Sequence, residues 1–142
     1  MKFRYFKFPL KEKSEFFGSN ILKPVIPFEL VSGSKEIKYN ALIDSGADFC
    51  IFDGQMGELL GLDLNSGQSL DFGGIQALKG AKAFLHEIKI KIGGWSYKTI
   101  VGFSYDIAPF GFGILGQKGF FDIFSVKFDY TKEEIELKEK TL

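Results

Sequence analysis

The strongest constraint on this chain is the stretch Ala41-Leu42-Ile43-Asp44-Ser45-Gly46-Ala47-Asp48-Phe49-Cys50. An apolar run leads into a carboxylate, a hydroxyl and a glycine follow, and a second apolar run leaves toward Phe52. A carboxylate set between hydrophobic segments is costly unless it is paired or hydrogen-bonded. Asp-Ser-Gly is good turn chemistry, so a surface turn is the plainest use of these residues. The flanks argue against that use, since a surface turn seldom has Ala-Leu-Ile before it and Phe-Cys-Ile-Phe shortly after it. Asp44 is therefore a candidate functional carboxylate.

A chain of 142 residues is most simply one domain, 1–142, with room for a real core. Lys plus Arg equals Asp plus Glu at 18 each, which leaves no electrostatic footprint for nucleic acid or an anionic membrane. The 17 phenylalanines imply a large aromatic core or an apolar contact surface. One cysteine, Cys50, forbids an intramolecular disulfide and a cysteine-based zinc site, and one histidine, His86, forbids a multi-His site within one subunit. No metal or cofactor is expected. The opening residues alternate charge with aromatics and lack the apolar run of a signal peptide, and no run approaches a membrane span, so the expected address is cytoplasmic.

Hydrophobic periodicity predicts a mostly β domain with one or two short helices. Lys2 to Phe8 reads as a strand. Lys11 to Asn20 reads as a loop with a turn of helix around Ser14 to Phe17. Ile21 to Leu30, interrupted by Pro24 and Pro27, reads as an edge or irregularly paired strand. Lys35 to Ile43 alternates, with Ile37, Tyr39, Ala41 and Ile43 on one face. Phe49 to Phe52 is a second short strand, and Gln55 to Leu62 has a helical look. Leu70 to Lys79 reads as two extended pieces around Gly73-Gly74. Lys82 to Ile92 alternates, with Phe84, His86, Ile88, Ile90 and Ile92 on one face, and turns through Gly93-Gly94 into Trp95 to Phe103, the clearest hairpin in the chain. Ser104 to Phe112 is loop-like, Gly113 to Gly116 a short apolar run, and Gln117 to Phe124 a helical segment. Ser125 to Tyr130 and Ile135 to Lys138 form a last strand pair.

Several residues have plain structural uses. His86 on an apolar strand face is expected as a core or boundary histidine. Cys50 is expected as a small buried hydrophobe, since no histidine sits in a partnering motif. Trp95 is expected to pack in its hairpin, and Lys132-Glu133-Glu134 to form a solvated turn.

Two anchors carry a resemblance: Asp44-Ser45-Gly46-Ala47, and far downstream Phe112-Gly113-Ile114-Leu115-Gly116. With the Gly-Gly turn and β-hairpin between them, their order resembles that of retroviral-type aspartic proteases (retropepsins). The resemblance runs from about Ile21 to Leu137 and leaves residues 1–20 as an N-terminal extension. Bacterial and archaeal single-domain members look closer than viral ones, judging by Lys23-Pro24-Val25-Ile26-Pro27 and Lys89-Ile90-Lys91-Ile92-Gly93-Gly94.

The resemblance implies a closed acid-protease barrel and assigns roles. Asp44 would be the catalytic carboxylate, and Ser45 would lock two active-site loops together through its hydroxyl. Gly46 would let the backbone approach the substrate, and Ala47 and Asp48 would help bind a peptide main chain. Gly73, Gly74 and Ile75 would form a flap tip over the substrate. Ile114, Leu115 and Gly116 would support the active-site loop from beneath. Gln117 is a departure, standing where viral enzymes usually carry an arginine that braces the Asp48 position.

Peptide hydrolysis by this route uses two carboxylates sharing one proton, one activating water and the other polarising the carbonyl. Only one Asp-Ser/Thr-Gly occurs here, so the resemblance implies a homodimer that contributes Asp44 twice across an isologous interface. The expected function is an aspartic endopeptidase acting on a peptide or protein substrate. The competing reading is a catalytically silent dimerisation or peptide-binding module on the same fold.

Overall fold

Lys35–Ile43 forms the strand its alternation predicts: Ala41 and Ile43 are buried, Ile37 and Tyr39 half-buried, and Glu36, Lys38 and Asn40 exposed. The computed structural model describes residues 1–73 and 80–140, so Gly74, Ile75 and the extended piece expected to run on to Lys79 lie outside the described residues. In chain order the strands are β1 (Lys2–Arg4), β2 (Phe6–Ser14), β3 (Gly18–Lys23), β4 (Val25–Ser32), β5 (Lys35–Ile43), β6 (Ile51–Asp53), β7 (Gln68–Phe72), β8 (Ala81–Ile92), β9 (Trp95–Ser104), β10 (Gly113–Leu115), β11 (Phe124–Asp129) and β12 (Glu134–Glu139). One α-helix, α1 (Gly54–Leu59), follows β6, and 3-10 turns occupy Leu64–Ser66 and Tyr105–Phe110. The chain is mostly β, as expected. Among the described residues no helix is long and apolar enough to cross a membrane.

The main sheet has the order β4-β5-β10-β6-β9-β8-β7, and β4 also pairs with β8 through Glu29–Val31. Pro27 lies outside that second pairing and faces Asn40 of β5, so a strand with two neighbours still carries a proline where it has one. β8 and β9 form the hairpin predicted over Gly93-Gly94, in unbroken register from Ile92 against Trp95 to Phe84 against Phe103. A second sheet orders β1-β12-β11, so the first residues of the chain pair with the last strand.

Phenylalanine fills much of the interior. Phe52, Phe103, Phe120 and Phe124 are fully buried, each worth about 1.5–3 kcal/mol of transfer free energy. Phe52 stacks against Phe28, Tyr39 and Phe103 at centroid distances of 5.7, 5.4 and 6.1 Å. A smaller cluster of Ile51, Ile107 and Ile114, with Ala47, Phe49, Phe72 and Phe110 against it, packs next to the Asp44 loop.

Six expectations are corrected. Ile21 to Leu30 is two strands, since β3 ends at Lys23 and β4 starts at Val25 with Pro24 between them, and the two pair with different neighbours. Lys11 to Asn20 is the outer part of an exposed β2–β3 hairpin. Its turn is closed by the Ser14 hydroxyl, which accepts from the Phe16 and Phe17 amides at 3.1 Å each, and by Gly18 at φ +78°. Lys2 to Phe8 belongs to two strands, because the chain leaves the β12 partner at Tyr5 and joins β3. Ser104 to Phe112 is a 3-10 turn over Tyr105–Phe110, started by the Ser104 hydroxyl accepting from the Asp106 amide. Gln117 to Phe124 is a run of turns, since Gly119 sits at φ +105° and the Gln117 and Lys118 amides are committed elsewhere. Trp95 is 69% exposed: it has the inward parity of Tyr97, Thr99 and Val101 but lies where the hairpin has run past the core.

The buried side of β8 also changes along its length. Ile88, Ile90 and Ile92 face the main core, as predicted, whereas nearer the Asp44 loop Ala81 and Ala83 on the opposite parity are buried, and Phe84 and His86 are half-buried. Ala83 and Phe49 close on Gly102 so tightly that a Cβ there would lie 3.0 and 2.7 Å from them.

Candidate active site

The site begins where β5 runs out. β10 lies parallel to β5, pairing Gly113, Ile114 and Leu115 with Ala41, Leu42 and Ile43, and the Asp44 amide continues the ladder by donating to the Leu115 carbonyl at 2.9 Å. The chain then turns: the Ala47 amide donates to the Asp44 carbonyl at 3.1 Å and the Gly46 amide to Asp44 Oδ1 at 2.9 Å. Asp44 is half-buried, and its carboxylate is oriented by its own loop, the arrangement an Asx turn provides. A Cβ on Gly46 would lie 3.2 Å from Asp44 Oδ1, so a side chain there would crowd the carboxylate.

The segment after β10 clamps this loop. The Gln117 amide donates to the Ala47 carbonyl at 2.8 Å and the Lys118 amide to the Asp48 carbonyl at 2.9 Å. The Gln117 side chain donates from Nε2 to the Ser45 carbonyl at 2.7 Å. Beneath them the Gly116 amide donates to Cys50 Sγ at 3.4 Å. Cys50 is fully buried, and burial pushes its thiol up to about 12, partly opposed by that Gly116 contact. It is the inert hydrophobe expected from the sequence.

Asp44, Gly46, Ala47, Asp48, Gly73 and Ile114 all line one cleft of about 380 Å³. Ser45 is exposed, and Leu115 and Gly116 are buried under the loop. The cleft has further walls that sequence reasoning missed, namely Phe49, Ile51, Leu70, Asp71 and Phe72. The signal for the last three was their place directly before Gly73-Gly74. The ionisable side chains lining the cleft, among the described residues, are the carboxylates Asp44, Asp48 and Asp71. They are not grouped as metal ligands.

A crystal structure of a retropepsin-like aspartic protease from Rickettsia conorii superposes on the chain with a TM-score of 0.56 at 17% identity, covering 96% of this chain and 89% of that one. The fold is retropepsin-like. Neither a protein-family model nor a curated protein sequence matches the chain.

Within this retropepsin-like fold the two sequence anchors are joined physically: the Asp44 loop is hydrogen-bonded to the Ile114-Leu115-Gly116 element and to the two residues after it. Gln117 contacts the backbone of the loop at Ser45. His86 has a structural use, its Nε2 lying 2.9 Å from the Leu64 carbonyl and tying the Leu64–Ser66 turn to β8.

Proposed function

We propose that this protein is an aspartic endopeptidase that works as a homodimer, with Asp44 of each copy flanking one water molecule. One carboxylate accepts a proton from that water as its oxygen attacks the scissile carbonyl; the other, protonated, donates to the carbonyl oxygen. As the tetrahedral intermediate collapses, the carboxylate that took the water proton passes it to the leaving nitrogen, and the other regains its proton from a hydroxyl of the intermediate. The carboxylic acid and the amine depart, and the pair again shares one proton. No metal or cofactor enters the scheme.

The observation that carries this reading is the placement of one half-buried Asp44, its Oδ1 engaged by the Gly46 amide, in a cleft with apolar walls. The chain supplies one such loop, so the second carboxylate has to come from a second copy. Ser45, Gly46 and Asp48 are exposed in the single chain, which leaves that face of the loop free to meet its own copy. The Ser45 hydroxyl is assigned to locking the two loops together. Gly46, Ala47 and Asp48 are assigned to the substrate main chain, and Gly73, Gly74 and Ile75 to a flap. The pairing of β4 with both β5 and β8 supports reading the six strands β4, β5, β10, β6, β9 and β8 as a closed barrel.

Cleavage of a mixed peptide library from acidic to neutral pH tests the proposal. The wild type is expected to cleave, and Asp44→Asn to lose about a hundredfold or more. Cleavage that survives Asp44→Asn would contradict it. A dimer that cleaves nothing but still binds peptides would favour the silent module.

A further inference from the structure

Gln117 and Asp44 are connected through one peptide unit. The Ser45 carbonyl and the Gly46 amide belong to the same Ser45–Gly46 bond, and no peptide bond among the described residues is cis. In a trans peptide the C=O and N–H point to opposite sides of a rigid plane. On one side Gln117 Nε2 donates to the Ser45 carbonyl at 2.7 Å; on the other the Gly46 amide donates to Asp44 Oδ1 at 2.9 Å. The order is therefore side-chain amide, peptide, carboxylate, with each donor feeding the next acceptor.

We infer that Gln117 is a positioning residue for Asp44, acting through the Ser45–Gly46 peptide plane. Two effects follow from the geometry. The contact fixes the rotation of the plane, and so the direction from which the Gly46 N–H meets the carboxylate. It also polarises the peptide, because a carbonyl that accepts a hydrogen bond makes its own N–H a better donor. The neighbouring clamp contacts are made by main-chain amides of Gln117 and Lys118 to the Ala47 and Asp48 carbonyls, and any residue but proline would keep them. The side-chain contact to Ser45 is the part of the clamp that depends on which residue stands at 117. Gln117 is exposed, so its substitution leaves the core untouched. An arginine at this place could brace the neighbouring carboxylate; the glutamine reaches the backbone that orients Asp44.

The catalytic consequence rests on the proposed protease reading, whereas the geometric link does not, and the experiment separates them. Gln117→Met keeps length and removes the donor; Gln117→Arg keeps a donor. In the free protein the amide proton resonance of Gly46 is expected to move upfield in Gln117→Met, as its hydrogen bond to Asp44 weakens, and to return toward the wild-type position in Gln117→Arg. On a cleaved peptide, kcat is expected to fall about tenfold in Gln117→Met with KM held within about twofold, and to recover in Gln117→Arg. A Gly46 resonance unmoved in Gln117→Met overturns the inference. A Gly46 resonance that moves in a protein whose wild type cleaves no peptide upholds the link and removes the proposed function.

Discussion

Gly116 passes directly beneath Phe49: a Cβ built on it would lie 2.6 Å from the Phe49 carbonyl carbon and 2.8 Å from the Ala47 carbonyl oxygen. Both atoms are backbone, so neither can swing away as a side chain would. This contact holds the floor of the Asp44 loop, and it sets the first prediction.

Gly116→Ala must push the Ala47–Phe49 backbone outward. Forced overpacking of this kind costs about 1–3 kcal/mol. The same movement breaks the geometry of the Gln117 and Lys118 contacts, so hydrolysis is expected to fall further than the stability loss alone explains. Urea unfolding midpoints and peptide cleavage rates on the same preparation check both parts. An alanine variant of wild-type stability would show that the loop does not depend on this close approach.

Tyr39, on β5, ties that strand to the residue that starts α1. Its hydroxyl accepts from the Asp53 amide at 3.0 Å, and Asp53 in turn caps α1 by accepting from the Gln55 amide at 3.0 Å. Tyr39→Phe keeps the ring packed against Phe28 and Phe52 but leaves the Asp53 amide without that acceptor. The expected cost is about 1–2 kcal/mol of stability with kcat unchanged. A large loss of kcat at unchanged stability would contradict that structural role.

Cys50 gives a pH prediction whose sign follows from proton counting. Burial raises its thiol from 9.0 to about 12, so between those values the unfolded chain releases a proton that the folded chain retains. The contribution is fully present below about pH 9 and is lost as pH rises toward the folded value. Tyr39 is shifted in the same direction by burial and adds to the alkaline loss. Thermal midpoints of Cys50→Ala are therefore expected to fall less steeply than those of the wild type between about pH 9 and pH 11. Parallel slopes would rule out a thiol contribution.

How much of this was legible in the sequence depended on where each segment's partners lie. β5, β8 and β9 announce themselves because one face is buried and the other wet, so hydrophobicity alternates. The β2–β3 hairpin is largely exposed and carries charge through its outer part, leaving no burial pattern to read; its Ser14 cap is chemistry that also suits a loop. The Gln117 to Phe124 segment has the composition of a short helix, but its first amides are taken by carbonyls some seventy residues earlier, which local propensity cannot register. The same holds at the site. Asp44 and Ile114-Leu115-Gly116 were visible as motifs, whereas the Ser45 contact of Gln117 and the Asp71 and Phe72 walls exist only once β10 lies beside β5 and β7 beside β8.

The central claim is that one active site contains two copies of Asp44, and subunit mixing tests it most directly. Wild-type chain at fixed concentration is co-refolded with rising excess of Asp44→Asn chain, and peptide hydrolysis is measured. Because mixed dimers would hold only one of the two carboxylates, activity is expected to fall toward zero as the variant comes to outnumber the wild type. Activity that stays constant, proportional to the wild-type chain present, would contradict the account.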